Sequence, residues 1–578
     1  VKLVVKILSV CSILAIANTA YGQGMIIGAG AYVSAPAASH VVINNKFTNN
    51  GSFTHNGTLY FNGAYQVING STATTFNNIQ IGSGSDTYVG TSGHGIKRAL
   101  LCNGTLNAGG NLTLLSTSSQ TALIDGTGTG DVLGTVIMQR YLPSAFGYKY
   151  FSSPFSNATV NEFSEEVDFL SDFPRLYRYE ENTTSTGWYY HTVPSDPLEV
   201  LQGYAANLGD AGTPITADLK GEVNNGPLST GTISNNNMTY TEGFHLVGNP
   251  YPSPIDWDAA SGWTRTNVDD AVYYFDAGNT DEYEGTYSSY INGISSDGIA
   301  DNIIPAMQGF FIHVSDGSYP VAGSLAINNN VRVNSFNPVY HKLSPPAETP
   351  LIRVSAKFDE ANRQADGFTV YFNEGAGPDF DKGLDALKMR NTDKNVPNVY
   401  AATVSGQRLS ISALPVPNDS ISAVPLTVEI AKAGVVAFNT ATLDNLPAGM
   451  HAYFADAVTG IITEMKVNRQ YRAALKEGKH ENRFSVIFSR NELPANLFGL
   501  NALNAYAANG NIYLYLNLVT GDKGSLVINN TLGQAVYKQD IAGYGYHTIE
   551  APFSPGIYIA TFYSRTGKHS KKLFIANQ

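Results

Sequence analysis

The sequence predicts an all-β chain: an N-terminal β-solenoid-like or irregular β stack, then tandem β-sandwich domains, ending in a small Ig-like β-sandwich. Three observations predict it. Charged residues make up only 14% of the 578, while Gly is abundant at 56 and Tyr at 34. Long amphipathic helical stretches are nearly absent. Short alternating runs punctuated by Asn-Gly and Asp-Gly recur along the whole chain, the pattern of strands and tight turns. A chain of this length holds three to five domains.

Residues 1–22 read as a signal peptide. Lys2 and Lys6 give a positive start, Ile7 to Ala17 is apolar, and Ala20-Tyr21-Gly22 carries small residues where a signal peptidase cuts. The run is short for a membrane anchor and lacks a basic stop-transfer flank. Cys11 lies inside the run, away from the cut, which argues against a lipoprotein. No other segment is long and apolar enough to cross a membrane as a helix.

Residues 23–134 are poor in charge and rich in turns. Asn50-Gly51, Asn56-Gly57 and Asn62-Gly63 recur every six residues, each followed by a small residue and then Phe53, Leu59 or Tyr65. A six-residue beat with one inward apolar residue suits β-solenoid coils. A run of hairpins is the alternative, because Asn-Gly is also the strongest short hairpin turn.

Gly134 to Tyr141 reads as a strand opening an aromatic-rich β-sandwich region over residues 135–342. A Pro-containing joint, Leu343 to Pro350, leads to a further β-sandwich at residues 351–490. The last region, residues 497–578, places Ile512, Leu514, Leu516 and Leu518 on one strand face, with Tyr513, Tyr515 and Asn517 on the other. That strict period of two marks a half-buried strand.

Removing the signal takes away two lysines and moves the formal charge from −12 to −14. That balance argues against nucleic acid as a partner, since phosphate binding needs a basic stripe and none is visible in the sequence. Cys102 is the only cysteine left after cleavage, so an internal disulfide is impossible and the residue reads as a buried structural thiol.

A family resemblance emerges at the C-terminus. Gly524-Ser525-Leu526-Val527-Ile528-Asn529-Asn530-Thr531-Leu532-Gly533-Gln534-Ala535-Val536 is followed by Pro555-Gly556-Ile557-Tyr558-Ile559-Ala560. Lys571-Lys572-Leu573-Phe574-Ile575 comes last. In this order the three stretches resemble the type A C-terminal sorting domain of the type IX secretion system. Gly533, Pro555, Gly556, Tyr558, Lys571 and Lys572 are the residues that carry the match. One departure is that Asn504-Ala505-Tyr506 stands where the family often has Tyr-Pro-Asn-Pro. The resemblance implies recognition by the outer-membrane secretion machinery, proteolytic removal of the domain, and attachment to surface lipopolysaccharide.

The middle of the chain is similar to large surface proteins of Bacteroidetes, through Gly243 to Trp257 and through Ile304-Pro305-Ala306-Met307-Gln308-Gly309-Phe310-Phe311. Leu201-Gln202-Gly203-Tyr204 is a shorter echo of the second stretch. This likeness implies a secreted or outer-surface location and no particular chemistry.

No zinc-protease His-Glu-x-x-His, nucleophile elbow or P-loop occurs. Carboxylates are plentiful, so a glycosidase pair, defined by spatial separation, stays open. Asp256 and Asp258 flank Trp257, with a strand-end and core-packing reading beside the catalytic one. Trp188, Trp257 and Trp263 are the only tryptophans and are candidates for stacking a glycan, with core packing as the other reading. Asp276, Asn279, Asp281, Glu282 and Glu284 crowd one loop; Asp276, Asn279, Asp281 and Glu284 are the candidate calcium ligands, with a solvated acidic loop as the alternative. Asp379, Asp381 and Asp385 form a second, sparser cluster.

Two functional readings follow. One is a non-catalytic secreted surface protein, an adhesin or cell-envelope component with a glycan or matrix ligand on its loops. The other is a secreted carbohydrate-binding or carbohydrate-active protein with an aromatic platform in residues 141–340. Enzymatic activity is left unassigned.

Overall fold

A computed structural model describes residues 24–91, 93–170, 175–337, 349–358, 364–403, 405–417, 422–490, 492–493, 503–508, 511–517, 523–542, 544–550, 552–565 and 567–575. The signal-peptide cut, Leu518 and the joint at residues 343–348 lie outside these. The described chain is all-β, with no α-helix and two short 3₁₀ turns at Val160–Phe163 and Asn329–Val331. It divides into two compact units, residues 1–285 with 301–342, and residues 286–300 with 343–578.

The first unit begins as a parallel β-solenoid. Its first two coils are three-sided: β1 (Met25–Ile27), β2 (Tyr32–Ala35) and β3 (His40–Ile43), then β4 (Lys46–Asn49), β5 (Ser52–His55) and β6 (Thr58–Phe61). The coils that follow have two sides: β7 (Tyr65–Asn69) with β8 (Thr75–Ile81), and β9 (Asp86–Val89) with β10 (His94–Cys102). Then come β11 (Thr105–Asn107), β12 (Leu112–Leu114), β13 (Leu123–Ile124), β14 (Asp131–Leu133) and β15 (Thr135–Leu142). One sheet runs β1-β4-β7-β9-β11-β14, and another contains β15-β12-β10-β8-β6-β3. Phe47, Leu59, Phe61, Ile68, Phe76 and Ile96 stack inside.

The Asn-Gly beat has a different meaning from the one expected. Asn50-Gly51, Asn56-Gly57 and Asn62-Gly63 are corners of a single coil, after β4, β5 and β6. The coil itself repeats about every twenty residues, aligning Thr58 with Asn78 and Tyr65 with Asp86. Gly51, Gly57 and Gly63 are not among the positive-φ glycines, so they are not hairpin turns of the type that needs φ > 0. Glycine is required there by close approach: a Cβ on Gly57 or Gly63 would sit 2.0 Å from a carbonyl oxygen of the preceding coil. The Asn50 side chain serves the stacking too, its Oδ1 accepting from Ser71 N of the next coil at 2.9 Å. Phe53 and Leu59 point inward, whereas Tyr65 is 63% exposed.

β15 does not open a separate region. It pairs parallel with β12 and so closes the stacked sheet, while its other edge takes Ile215–Glu222 antiparallel. Beyond it, the first unit is built of small antiparallel sheets with an internal echo. Tyr148–Ser152 pairs with Gly203–Asn207, and Phe244–Gly248 pairs with Gly309–His313. Each pair has a turn after its first strand, Ser153-Pro154-Phe155 or Asn249-Pro250-Tyr251, in which the first side chain accepts the N–H two residues on. Each second strand is entered through a left-handed residue, Leu201 (φ 62°) or Met307 (φ 60°), followed by Gln-Gly. The short motif and its longer counterpart therefore adopt the same local structure. Asn249, fully buried, ties the two long motifs together by donating to the carbonyls of Ser253, Ile304 and Pro305.

The second unit holds one long sheet in the order Ile461–Glu464, His451–Asp456, Gly478–Ser489, Ser422–Ile430, Asn398–Ala402, Arg408–Leu414, Asp366–Phe372, Leu351–Phe358, Gly434–Asp444, Gln470–Leu475. The sheet folds over itself, since Phe438 near one end meets Phe454 and Phe484 near the other, at ring distances of 4.9 and 4.6 Å. Segment 286–300 joins this unit: the Ser295 carbonyl accepts from Thr369 Oγ1 at 2.8 Å and from Arg353 Nε at 3.1 Å. A small two-sheet sandwich follows. Leu503–Ala508, Asn511–Asn517 and Tyr544–Glu550 form one sheet; Ala535–Ala542, Lys523–Asn530, Gly556–Ser564 and Gly567–Ile575 form the other. Ile512, Leu514 and Leu516 pack with Leu526, Ile528 and Phe562 between them.

Candidate functional site

A cavity of about 320 Å³ opens in the first unit where the solenoid ends. One wall is the last coil, from Asp125 to Gly134, including β14. Glu222 to Asn225 and Ser156 also line it. Arg332, Ile124, Cys102 and Pro252 complete the lining.

β14 is the terminal strand of its sheet, and its free edge contributes to this wall. Asp131 N donates to the Gly104 carbonyl of the previous coil, and the Leu133 carbonyl accepts from Ala108 N. In a parallel ladder alternate residues bond to one neighbour, so Val132 between them turns its N–H and C=O to the open edge.

Arg332 is pinned. Its Nε donates to Ser253 Oγ at 2.8 Å, its Nη2 to the Ile124 carbonyl at 2.5 Å, and its guanidinium lies 5.1 Å from the centre of the Tyr251 ring. Its Nη1 reaches only Asn225 Oδ1 and Asn329 Oδ1, both at 3.4 Å. Burial pushes its pKa down to about 10. Burial pushes Asp125 up, but the Thr127 N–H and hydroxyl, the Asn334 amide and the Arg332 charge together hold it below its ordinary value. Among the described residues, the Asp131 and Glu222 carboxylates and the Asn225 amide nitrogen have no hydrogen-bond partner, so they are available at the mouth. Cys102 is buried, its Sγ 3.3 Å from the carbonyls of Gly104 and Asp131, and burial pushes its thiol up to about 11.

The residues of the C-terminal motif meet in the small sandwich. Gly533 sits at φ 80° in the turn joining Lys523–Asn530 to Ala535–Ala542, its N–H donating to the Asn530 carbonyl. Pro555 and Gly556 lead into Gly556–Ser564, where the buried Tyr558 turns its hydroxyl back to the Ser554 carbonyl at 2.7 Å. Lys571 and Lys572 lie on the last strand opposite Ala560 and Ile559.

The tryptophans are packing residues in part. Trp257 is 1% exposed and donates to the Asp270 carbonyl; Trp263 lies 4.7 Å from it and donates to the Asp256 carbonyl. Arg265 covers the Trp257 ring at 3.8 Å, so that ring has no face to offer a glycan. Trp188 is half-buried against Tyr179, Tyr150 and Phe311. Asp256 accepts from Asp258 N and Asn302 Nδ2, which makes it a turn-holding residue.

The acidic loop is closed by its own backbone: Asp281 accepts from Tyr283 N, and Gly278 N donates to the Glu284 carbonyl. Asp276 and Asn279 are exposed. Among the described residues no group of three or more His, Cys, Asp or Glu is placed to hold a metal ion, so Asp276, Asp281 and Glu284 are not gathered about one point. Asp381 and Asp385 meet, Asp385 accepting from Asp381 N and Ala413 N; Asp379 takes no part in these bonds.

A family model described as a domain of unknown function, DUF8693, matches residues 58–488. The match stops before the small C-terminal sandwich. No curated protein matches the chain. Among solved structures, a biofilm-associated protein BSP domain is similar at 10% identity and a TM-score of 0.14, covering 76% of this chain and 92% of that one. Latent dimeric PorU from Porphyromonas gingivalis is similar at 11% identity and a TM-score of 0.11, covering 55% of this chain and 30% of that one.

Proposed function

The chain belongs to the DUF8693 family, and on that footing we propose that it is a non-catalytic secreted protein of the outer cell surface, an adhesin or cell-envelope component. Its small C-terminal sandwich is the address read by the type IX secretion machinery, and surface lipopolysaccharide is the anchor after sorting. The observation that carries the reading is local. Three stretches of the sorting motif, around Gly533, Pro555-Gly556-Tyr558 and Lys571-Lys572, fall in one compact sandwich with its own core. Within each unit the described residues form stacked or folded sheets joined by loops, and such a scaffold suits the presentation of loops.

The test is sufficiency. Residues 497–578, fused behind a periplasmic reporter in a host that runs this secretion route, carry the reporter to the surface. A reporter that stays in the periplasm contradicts the reading.

A further inference from the structure

We propose that the cavity at the end of the solenoid binds a neutral saccharide of about one or two rings. Its volume of about 320 Å³ lies at the small end of ligand pockets, and its chemistry narrows the class.

An anionic ligand is disfavoured. Asp125, Asp131 and Glu222 line the cavity against the single guanidinium of Arg332. That guanidinium has already committed Nε and Nη2 to Ser253 and Ile124, so no free fork remains to grip a carboxylate or phosphate in two-point fashion. An apolar ligand would strip water from these polar groups and return nothing. A peptide adding to the β14 edge would find only the Val132 pair of backbone groups in a three-residue strand, too few for strand addition.

A sugar hydroxyl both donates and accepts. The cavity offers acceptors in the Asp131 and Glu222 carboxylates and the Val132 carbonyl. It offers donors in Val132 N–H, the Asn225 amide and Arg332 Nη1. The lining also includes the apolar residues Ile124, Val132 and Pro252, which a pyranose C–H face can contact. These groups come from distant parts of the sequence, and Arg332 among them is held in place by its bonds to Ser253 and Ile124. It is separate from Trp188, Trp257 and Trp263.

The experiment uses the purified full chain on an array of neutral, sulfated and sialylated oligosaccharides, with calorimetric titration of the best free probe. At least one neutral probe should bind with a Kd of about 1 mM or tighter. Asn225→Ala and, separately, Glu222→Gln should each weaken it about tenfold or more. Glu222 makes no side-chain bond among the described residues, so its variant keeps the native fold and the result stays interpretable if Asn225→Ala perturbs Arg332. Failure of every neutral probe at about 10 mM, preference for the charged probes, or binding that survives both substitutions would overturn the proposal. None of these outcomes depends on how the protein is exported.

Discussion

A β-carbon built on Gly57 would lie 2.0 Å from the carbonyl oxygen of Ser39, one coil earlier in the solenoid. The neighbouring backbone cannot yield as a flexible side chain would, because Thr58 N also donates to that same carbonyl at 2.9 Å. Gly57→Ala should therefore cost about 2 kcal/mol or more and lower the solenoid's melting transition by about 4 °C or more. Gly28, with open space around it, is the control and should tolerate alanine. Equal behaviour of the two variants in thermal unfolding would remove the close-approach account of the Asn-Gly corners.

In the second unit Lys388 Nζ lies 2.5 Å from Asp366 Oδ1, with the two side chains 1% and 2% exposed. Asp366 also accepts from Val399 N. Lys388→Met leaves a buried carboxylate without its cation and should destabilise this unit by about 3–5 kcal/mol. A double-mutant cycle with Asp366→Leu, read by urea unfolding, should show strong coupling, with the pair of changes costing less than the sum. Additive costs would mean that the two charges act independently.

The Cys102 thiol, pushed up to about 11 by burial, is almost wholly protonated at pH 8. In the chain from residue 23 onward it should resist a thiol-specific dye while native and react once per chain after denaturation. Rapid native labelling would place it at an accessible surface.

Burial pushes the Glu166 carboxyl up from 4.5 to about 7. Between those values the folded chain holds a proton that the unfolded chain has released, so this group's contribution makes stability fall as pH rises from about 4.5 to 7. Glu166→Gln should be more stable than the parent above pH 7, with the difference shrinking to nothing below about pH 4.5. His55, His94, His191 and His245, all lowered chiefly by burial, push the other way as pH falls below their ordinary 6.5. The comparison is therefore between variant and parent at each pH, through urea midpoints. A constant difference across pH would show that Glu166 does not titrate as described.

Much of the fold was legible because β-structure advertises itself over short distances. The alternation Ile512, Leu514, Leu516 marks a strand whichever sheet receives it, and Asn-Gly marks a corner. What a corner joins is not local. Whether Gly57 turns a hairpin or passes beneath Ser39 depends on a partner a coil away, so the six-residue beat was visible while the coil's own repeat was not. β15 shows the same limit: its residues spell a strand, but only β12 makes it the last rung of the solenoid. The cavity had no sequence signal, because Val132, Glu222, Asn225 and Arg332 share no motif and meet only through folding. Trp257 is a rare aromatic, yet rarity does not tell a stacking face from a core, and Arg265 covers it.

The sorting role of the C-terminal sandwich is tested most directly by locating the protein in its own cell, with and without residues 497–578, by surface proteolysis and fractionation. The full chain should be exposed on the outer surface, and the truncated chain should be retained in the periplasm. A truncated chain that reaches the surface as readily as the full one would contradict it, leaving the C-terminal sandwich as a structural end to an exported all-β protein.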